Sequence, residues 1–220
     1  MLGVEKVGHR VGRHWVRAGH AVLFGANDPR ELHAWVGDLG PNARLTSLVG
    51  AAEADVVLVA VPFREAPGLY EALSAQLAGK VVIDATHPVR FDDRGRLVHA
   101  LGVHPTAGER TSRLLPRSLV ARSFTHIPEE LLTTRAFAEP VRWAMGVSAD
   151  DDRAHDVTSD LVRDCGFTPV SLGRLADSGP MDPEGPLFPH LYTEADLRRI
   201  LARVGGKSDD INPTGGANVQ

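Results

Sequence analysis

Six consecutive apolar residues, Val56-Val57-Leu58-Val59-Ala60-Val61, end at Pro62. Successive side chains of a strand point to opposite faces, so an unbroken apolar run of this length is buried on both. Both faces must then be covered, and the flanking sequence supplies the covers. Val7, Val11, Trp15 and Val16 recur at helical spacing, and Gly19 closes that helix. A strand over 20–24 reaches Gly25, and a helix follows Pro29 with Leu32, Trp35 and Val36 on its buried side. After a short helical turn at 51–54 and the apolar run, a helix over 67–77 ends at Gly79. Lys80-Val81-Val82-Ile83-Asp84-Ala85 is the next strand. Helix and strand in alternation predict a parallel, doubly wound sheet.

Further along, residues 90–110 read as an irregular excursion. Strands are expected over 118–124, 141–147 and 168–172, and helices over 128–137 and 150–165. Residues 175–192 read as a loop, and Thr193 with Asp196 opens a last helix to about residue 203 in near capping-box fashion. The expectation is α/β: a Rossmann-type sheet with a small C-terminal extension, one domain over 1–204. The polar, Gly-rich stretch 205–220 is expected to be a disordered tail.

The opening residues, Met1-Leu2-Gly3-Val4-Glu5-Lys6-Val7-Gly8, fit the phosphate-binding turn of such a fold with two departures. In the pattern G-x-G-x-x-G, Gly3 and Gly8 hold the first and third glycines, but Glu5 holds the second. That glycine lets a dinucleotide approach the backbone closely. A carboxylate there adds bulk and a like charge, worth about 4 kcal/mol of repulsion at 4 Å and an effective dielectric near 20. The leading strand has also shrunk to Met1-Leu2, so the first strand of the sheet is largely missing. Its absence would expose two central edges, each unsatisfied buried N–H or C=O costing about 1–3 kcal/mol. A start placed further upstream would remove that cost.

The 220 residues are 43% hydrophobic and carry a net charge of −4, with acid and base interspersed. Neither nucleic acid nor an anionic membrane surface is favoured as a partner. One cysteine, Cys165, precludes an internal disulfide framework and fits a reducing, cytoplasmic setting. Ten histidines include His87, His99 and His104, but no helical H-x-x-x-H supports a metal site. Asp150-Asp151-Asp152 reads as a helix N-terminus, and Trp15 and Trp35 as core.

Ligands of open α/β sheets bind at the carboxyl ends of the strands. Here those ends are Gly25-Ala26-Asn27-Asp28, Ala60-Val61-Pro62 and Asp84-Ala85-Thr86-His87-Pro88. Asn27 can hydrogen-bond a free or phosphorylated ribose, Asp28 disfavours phosphate, and Arg30 can compensate. NAD and NADP both stay open, and Asn-Asp-Pro is equally a helix N-cap.

These residues resemble the NADPH-dependent coenzyme F420 reductases, dinucleotide-binding relatives of the pyrroline-5-carboxylate reductases. Gly8 with residues 13–20, Val57 to Pro62, Lys80 to Pro88 and Leu114-Leu115-Pro116 carry the resemblance, and residues 185–193 resemble a C-terminal segment of one subgroup. The resemblance implies hydride transfer between NADP and a deazaflavin of the F420 type, no catalytic side chain, and a homodimer. By the same resemblance, Gly3, Lys6, Val7 and Gly8 would face the pyrophosphate and Gly25, Ala26 and Asn27 the adenosine ribose. Ala60, Val61, Pro62, Thr86 and His87 would flank the nicotinamide. The chain departs from the family at Glu5, at Asn27 in place of an arginine, and at His87-Pro88 in place of Asn-Pro. It departs again at Arg122-Ser123-Phe124-Thr125-His126, where the family has Lys-Ala-Phe-Asn-Thr. The alternative is a Rossmann domain that kept the fold without catalysis and serves in binding or regulation.

Overall fold

The computed structural model describes residues 1–26, 28, 30–101 and 105–205. Asn27 is outside them, as are Pro29, His104 and the expected tail beyond Gly205. In chain order the elements are α1 (Lys6–Arg17), β1 (Val22–Gly25), α2 (His33–Asp38), β2 (Ala43–Thr46), α3 (Leu48–Ala52) and β3 (Val56–Val59). Then come α4 (Ala66–Leu77), β4 (Val81–Asp84), β5 (Val89–Phe91), β6 (Leu97–His99), α5 (Ala107–Leu114) and β7 (Leu119–Arg122). The chain continues through α6 (Leu131–Thr134), β8 (Ala144–Ala149), α7 (Asp152–Asp164), β9 (Thr168–Gly173) and α8 (Glu194–Gly205). Short 3₁₀ turns cover Arg30–Leu32 and Leu175–Met181.

β2 and β1 pair in parallel, as do β3, β4 and β7. β8 runs antiparallel to β7, and β9 parallel to β8. Leu2 forms parallel bridges with both Gly25 and Val59 and so joins the β1–β2 ribbon to the five-stranded sheet. The doubly wound architecture expected from the apolar run is the one observed. Alternation along each strand feeds two cores. Leu58, Ile83 and Ala121 pack with Val11 and Trp15 of α1 and Val162 of α7 on one face. Val57, Val59, Val82 and Val120 pack with Tyr70, Leu73 and Leu77 of α4 on the other.

The shortened first strand is less costly than its length implied. The Leu2 amide donates to Leu58 O at 2.8 Å, and Leu2 O accepts from Ala60 N at 2.8 Å. Met1 O accepts from Gly25 N at 2.9 Å, and the Met1 α-amino group donates to Leu23 O at 2.9 Å. Two residues thus close the seam at the carboxyl end, where the turn needs support. Burial pushes the pKa of this α-amino group down to about 5.

Other boundaries differ from expectation. Residues 90–110 hold the antiparallel β5–β6 hairpin and the start of α5. The Thr106 hydroxyl caps the Glu109 amide at 3.2 Å while the Glu109 carboxylate accepts from the Thr106 amide at 2.9 Å. The expected helix over 128–137 is only α6, and the following strand starts at Ala144. Gly205 still belongs to α8. No helix among the described residues is long and apolar enough to cross a membrane.

Candidate dinucleotide-binding cleft

Gly3 turns the chain from Leu2 into α1 at φ +87°, and a β-carbon there would lie 2.6 Å from Ala60 O. Only glycine satisfies both the conformation and the space. The turn therefore rests directly on the end of β3, against Ala60 and Val61. Helix α1 starts with Lys6, and its first backbone bond runs from His9 N to Glu5 O at 3.3 Å. The Lys6, Val7 and Gly8 amides have no intrahelical acceptor, which leaves three donors and the positive end of the helix dipole at the turn. This cradle fits a pyrophosphate. Val7 can contribute only its amide, because its side chain lies in the core.

Glu5 is the exception within the cradle. It is exposed, extended (φ −79°, ψ 166°), and makes no capping hydrogen bond with its side chain. The backbone here does not require glycine, so the fold tolerates the residue and leaves an exposed carboxylate-bearing side chain at the turn.

At the end of β1, Gly25 packs under α3, where a β-carbon would meet that of Ala51 at 2.7 Å. The Ala26 amide is committed to Thr46 O at 3.3 Å. The contribution expected of Asn27 lies outside the described residues. Arg30 does not project as a free cation: its Nε donates to Asp28 Oδ1 at 2.9 Å and its Nη2 lies 2.5 Å from Asp28 Oδ2. The Arg30 hydrogen bonds hold the Asp28 carboxyl below the usual carboxylate range.

Ala60 and Val61 meet Gly3, whereas Pro62 is exposed and starts the turn into α4 through Pro62 O and Glu65 N (2.8 Å). On the next strand, the Thr86 amide donates to Asp84 Oδ1 at 2.9 Å. His87 Nε2 lies 2.6 Å from Thr125 O and so carries the ring proton, because a carbonyl can only accept. Burial and the nearby Arg122 charge hold the His87 pKa below its ordinary value, so the ring is neutral with Nδ1 as an acceptor. Its ring stands edge-on to Phe188, with centroids 5.8 Å apart.

Sequence reasoning gave no role to the residues beneath this loop. Arg122, fully buried at the end of β7, donates from Nη1 to Asp84 Oδ2 and from Nη2 to Thr86 O, each at 3.0 Å. Nη2 also donates to Asp182 Oδ1. Two residues later Phe124 adopts φ +61°, a strained conformation for a bulky residue, costing about 1–3 kcal/mol. The available signal was a charged residue closing each of two apolar strands, Val81-Val82-Ile83-Asp84 and Leu119-Val120-Ala121-Arg122. Cys165 is buried, and burial pushes its thiol pKa up, which removes it as a nucleophile. A separate groove of about 540 Å³, lined by Pro140, Arg142, Glu194 and Arg198 among others, contains none of the expected site residues.

Residues 1–88 match the family described as NADP oxidoreductase, coenzyme F420-dependent. Over 178 residues the chain is 25% identical to metalloreductase STEAP3 of Rattus norvegicus, covering 81% of this chain and 34% of that protein. It thus spans about a third of that curated relative's length. Among solved structures, the hypothetical protein SMa0349 from Sinorhizobium meliloti superposes with a TM-score of 0.77 at 24% identity, over 88% of this chain and 93% of the other. A protein from Arthrobacter sp. FB24, named as a proposed F420-dependent NADP reductase, gives a TM-score of 0.70 at 19% identity, over 93% of each chain. A pyrroline-5-carboxylate reductase from Coxiella burnetii gives 0.60 at 14% identity, over 97% of this chain and 70% of the other. These structures establish the Rossmann-like fold. Residues 1–88, which hold the glycine turn and the first strand ends, are thus the part of the chain that is similar to the coenzyme F420-dependent NADP oxidoreductases.

Proposed function

We propose that the chain binds NADP across the carboxyl edge of its sheet and transfers hydride between NADPH and a deazaflavin of the F420 type. The observation that carries this reading is the Gly3 turn seated on Ala60, with three unpaired α1 amides at its mouth. Bound NADPH would supply the hydride, and solvent the accompanying proton. The amides of Lys6, Val7 and Gly8 would hold the pyrophosphate, and the Gly25-Ala26 end of β1 would meet the adenosine ribose. Ala60 and Val61 would support one side of the nicotinamide half, and Thr86 and His87 the other. Such a transfer needs rings held in register and water kept away, with no nucleophile or strong base. The neutral His87 and the buried Thr86 suit that task. The Asp28–Arg30 pair favours no phosphate at the ribose, so NADP and NAD would be separated by residues other than Arg30.

Titration with NADPH, followed by nicotinamide fluorescence, should give a saturable signal; its absence would remove the dinucleotide reading. Adding F420 should then bleach the deazaflavin absorbance as NADPH is oxidised. Binding without that reaction would retain a pyridine-nucleotide site and reject the deazaflavin. Glu5 supports a second reading, a domain that kept the fold without catalysis, because its exposed carboxylate stands at the turn.

A further inference from the structure

Helix α1 carries Lys6, Arg10, Arg13 and Arg17, and no carboxylate occurs between residues 6 and 17. Spaced three or four apart, the four cations fall on one face, opposite Val11 and Trp15 in the core. Like charges at that spacing destabilise a helix. The helix dipole accounts for Arg17 in the last turn, where a cation is favoured, but it opposes Lys6 and does nothing for Arg10 and Arg13. Other charged helices of the chain mix signs instead. Arg113 faces Glu109 in α5, Arg163 faces Asp160 in α7, and Arg198 faces Glu194 in α8. Arg10, Arg13 and Arg17 form no ion pair among the described residues, and the Arg10 Nε is buried without a hydrogen-bond partner. One carboxylate reaching in from elsewhere would still leave the face cationic, since four positive side chains share it. Burial lowers the pKa of His9 and of His14, and arginine charges lower both further, Arg10 and Arg13 at His9 and Arg17 and Arg13 at His14.

A second feature lies beside this face. His14 sits one turn from both Arg10 and Arg17, and the Phe137 ring packs against it with centroids 5.8 Å apart. Phe137 is nonetheless 51% exposed. Its backbone lies at φ +55°, a conformation that bulky residues rarely adopt. The Phe137 amide donates to Gly166 O at 3.2 Å, and a β-carbon on Gly166 would lie 2.4 Å from the Phe137 nitrogen. A strained loop thus holds an aromatic ring in solvent next to a row of guanidinium groups. Aromatic and arginine side chains are enriched where proteins bind one another.

We propose that this face of α1, with Phe137 at its side, docks an acidic segment of a partner protein that also presents an apolar side chain. Arg10 to Arg17 spans about 10 Å along the helix, the reach of two helical turns of such a segment. With a net charge of −4, the molecule as a whole repels an extended anionic surface such as a nucleic acid or a membrane. A short acidic segment meets only the cationic row. The inference stands independently of the dinucleotide reading.

The test is fluorescence anisotropy of a labelled Glu-rich peptide containing leucine, titrated with the full chain at low salt. Binding should saturate, weaken as salt is raised, and be absent when lysine replaces each glutamate of the peptide. Arg13→Glu should lower the affinity about tenfold. Its melting temperature should hold or rise, because Arg10 and Arg17 then gain an opposite charge one turn away. Arg17→Gln and Phe137→Ala should each lower the affinity about threefold, which covers the case in which one variant fails to fold. A lower melting temperature with unchanged affinity in Arg13→Glu would make the row structural and overturn the proposal. The absence of a saturable signal from the parent protein overturns it as well. Tighter binding of duplex DNA or phosphatidylserine vesicles than of the peptide, or self-association of the parent protein that Arg13→Glu abolishes, gives the face to another occupant and overturns it too.

Discussion

A β-carbon built on Gly8 would lie 1.9 Å from the carbonyl oxygen of Gly3, so the first turn of α1 and the phosphate turn touch backbone to backbone. Gly8→Ala must push the helix off the turn, at about 3 kcal/mol or more. Gly68, inside α4, is the control: nothing lies within 4 Å of the point where a methyl group on it would stand. Gly68→Ala should stabilise by about 0.5–1 kcal/mol. Urea denaturation of the two variants would show opposite signs; a matching loss would contradict this packing.

Glu5→Gly isolates the electrostatic departure of the turn. Glu5 makes no capping bond, so stability should change by about 0.5 kcal/mol at most. NADPH affinity should rise about tenfold, the like-charge repulsion having been partly screened by solvent at this exposed position. The measurement is the fluorescence titration, and an unchanged dissociation constant would mean that the carboxylate swings clear.

His126 predicts acid sensitivity. The Gly146 amide donates to its Nε2 at 3.0 Å, so Nδ1 carries the proton and faces His190 O at 3.3 Å. Burial lowers the folded pKa from 6.5 to about 4. The unfolded chain therefore binds the extra proton first, and stability falls as pH drops from 6.5 toward 4. The full loss is about 3 kcal/mol. His126→Gln should flatten that limb in denaturation curves collected across the same window; an unaltered slope would assign the sensitivity elsewhere.

Arg122→Met would strand two buried carboxylates. The expected loss is about 3–5 kcal/mol, and Asp84→Asn added to it should recover part of that. A thermal melt in which Arg122→Met behaves like the parent protein would show that the cluster is not held as described.

The sheet was legible because its central strands are apolar on both faces, as in Val56 to Val61 and Val81 to Ile83. β2 was not. Ala43-Arg44-Leu45-Thr46 is an edge strand with every residue at least partly exposed, so no apolar run marks it. The start of α5 did carry a readable signal in Thr106 and Glu109, a Thr-x-x-Glu box inside an excursion rich in Gly and Pro. The glycines of the turn were readable for a local reason: their neighbours in space are also neighbours in sequence or lie at the next strand end. Arg122 meets partners 38 and 60 positions away, and no spacing rule connects them. Its charge inside an apolar strand was the only local sign.

Among the described residues, the ladder between the β1–β2 ribbon and the rest of the sheet runs through Met1 and Leu2. The ribbon is thus a candidate for release as a unit, its amides exchanging with solvent ahead of those of β3 and β4. Because Gly3 follows that seam directly, a ligand that grips the turn also pins the seam. Occupancy of the turn and protection of Val22 to Gly25 against exchange would rise together, making the anchoring of one small ribbon part of the cost, and the reward, of binding.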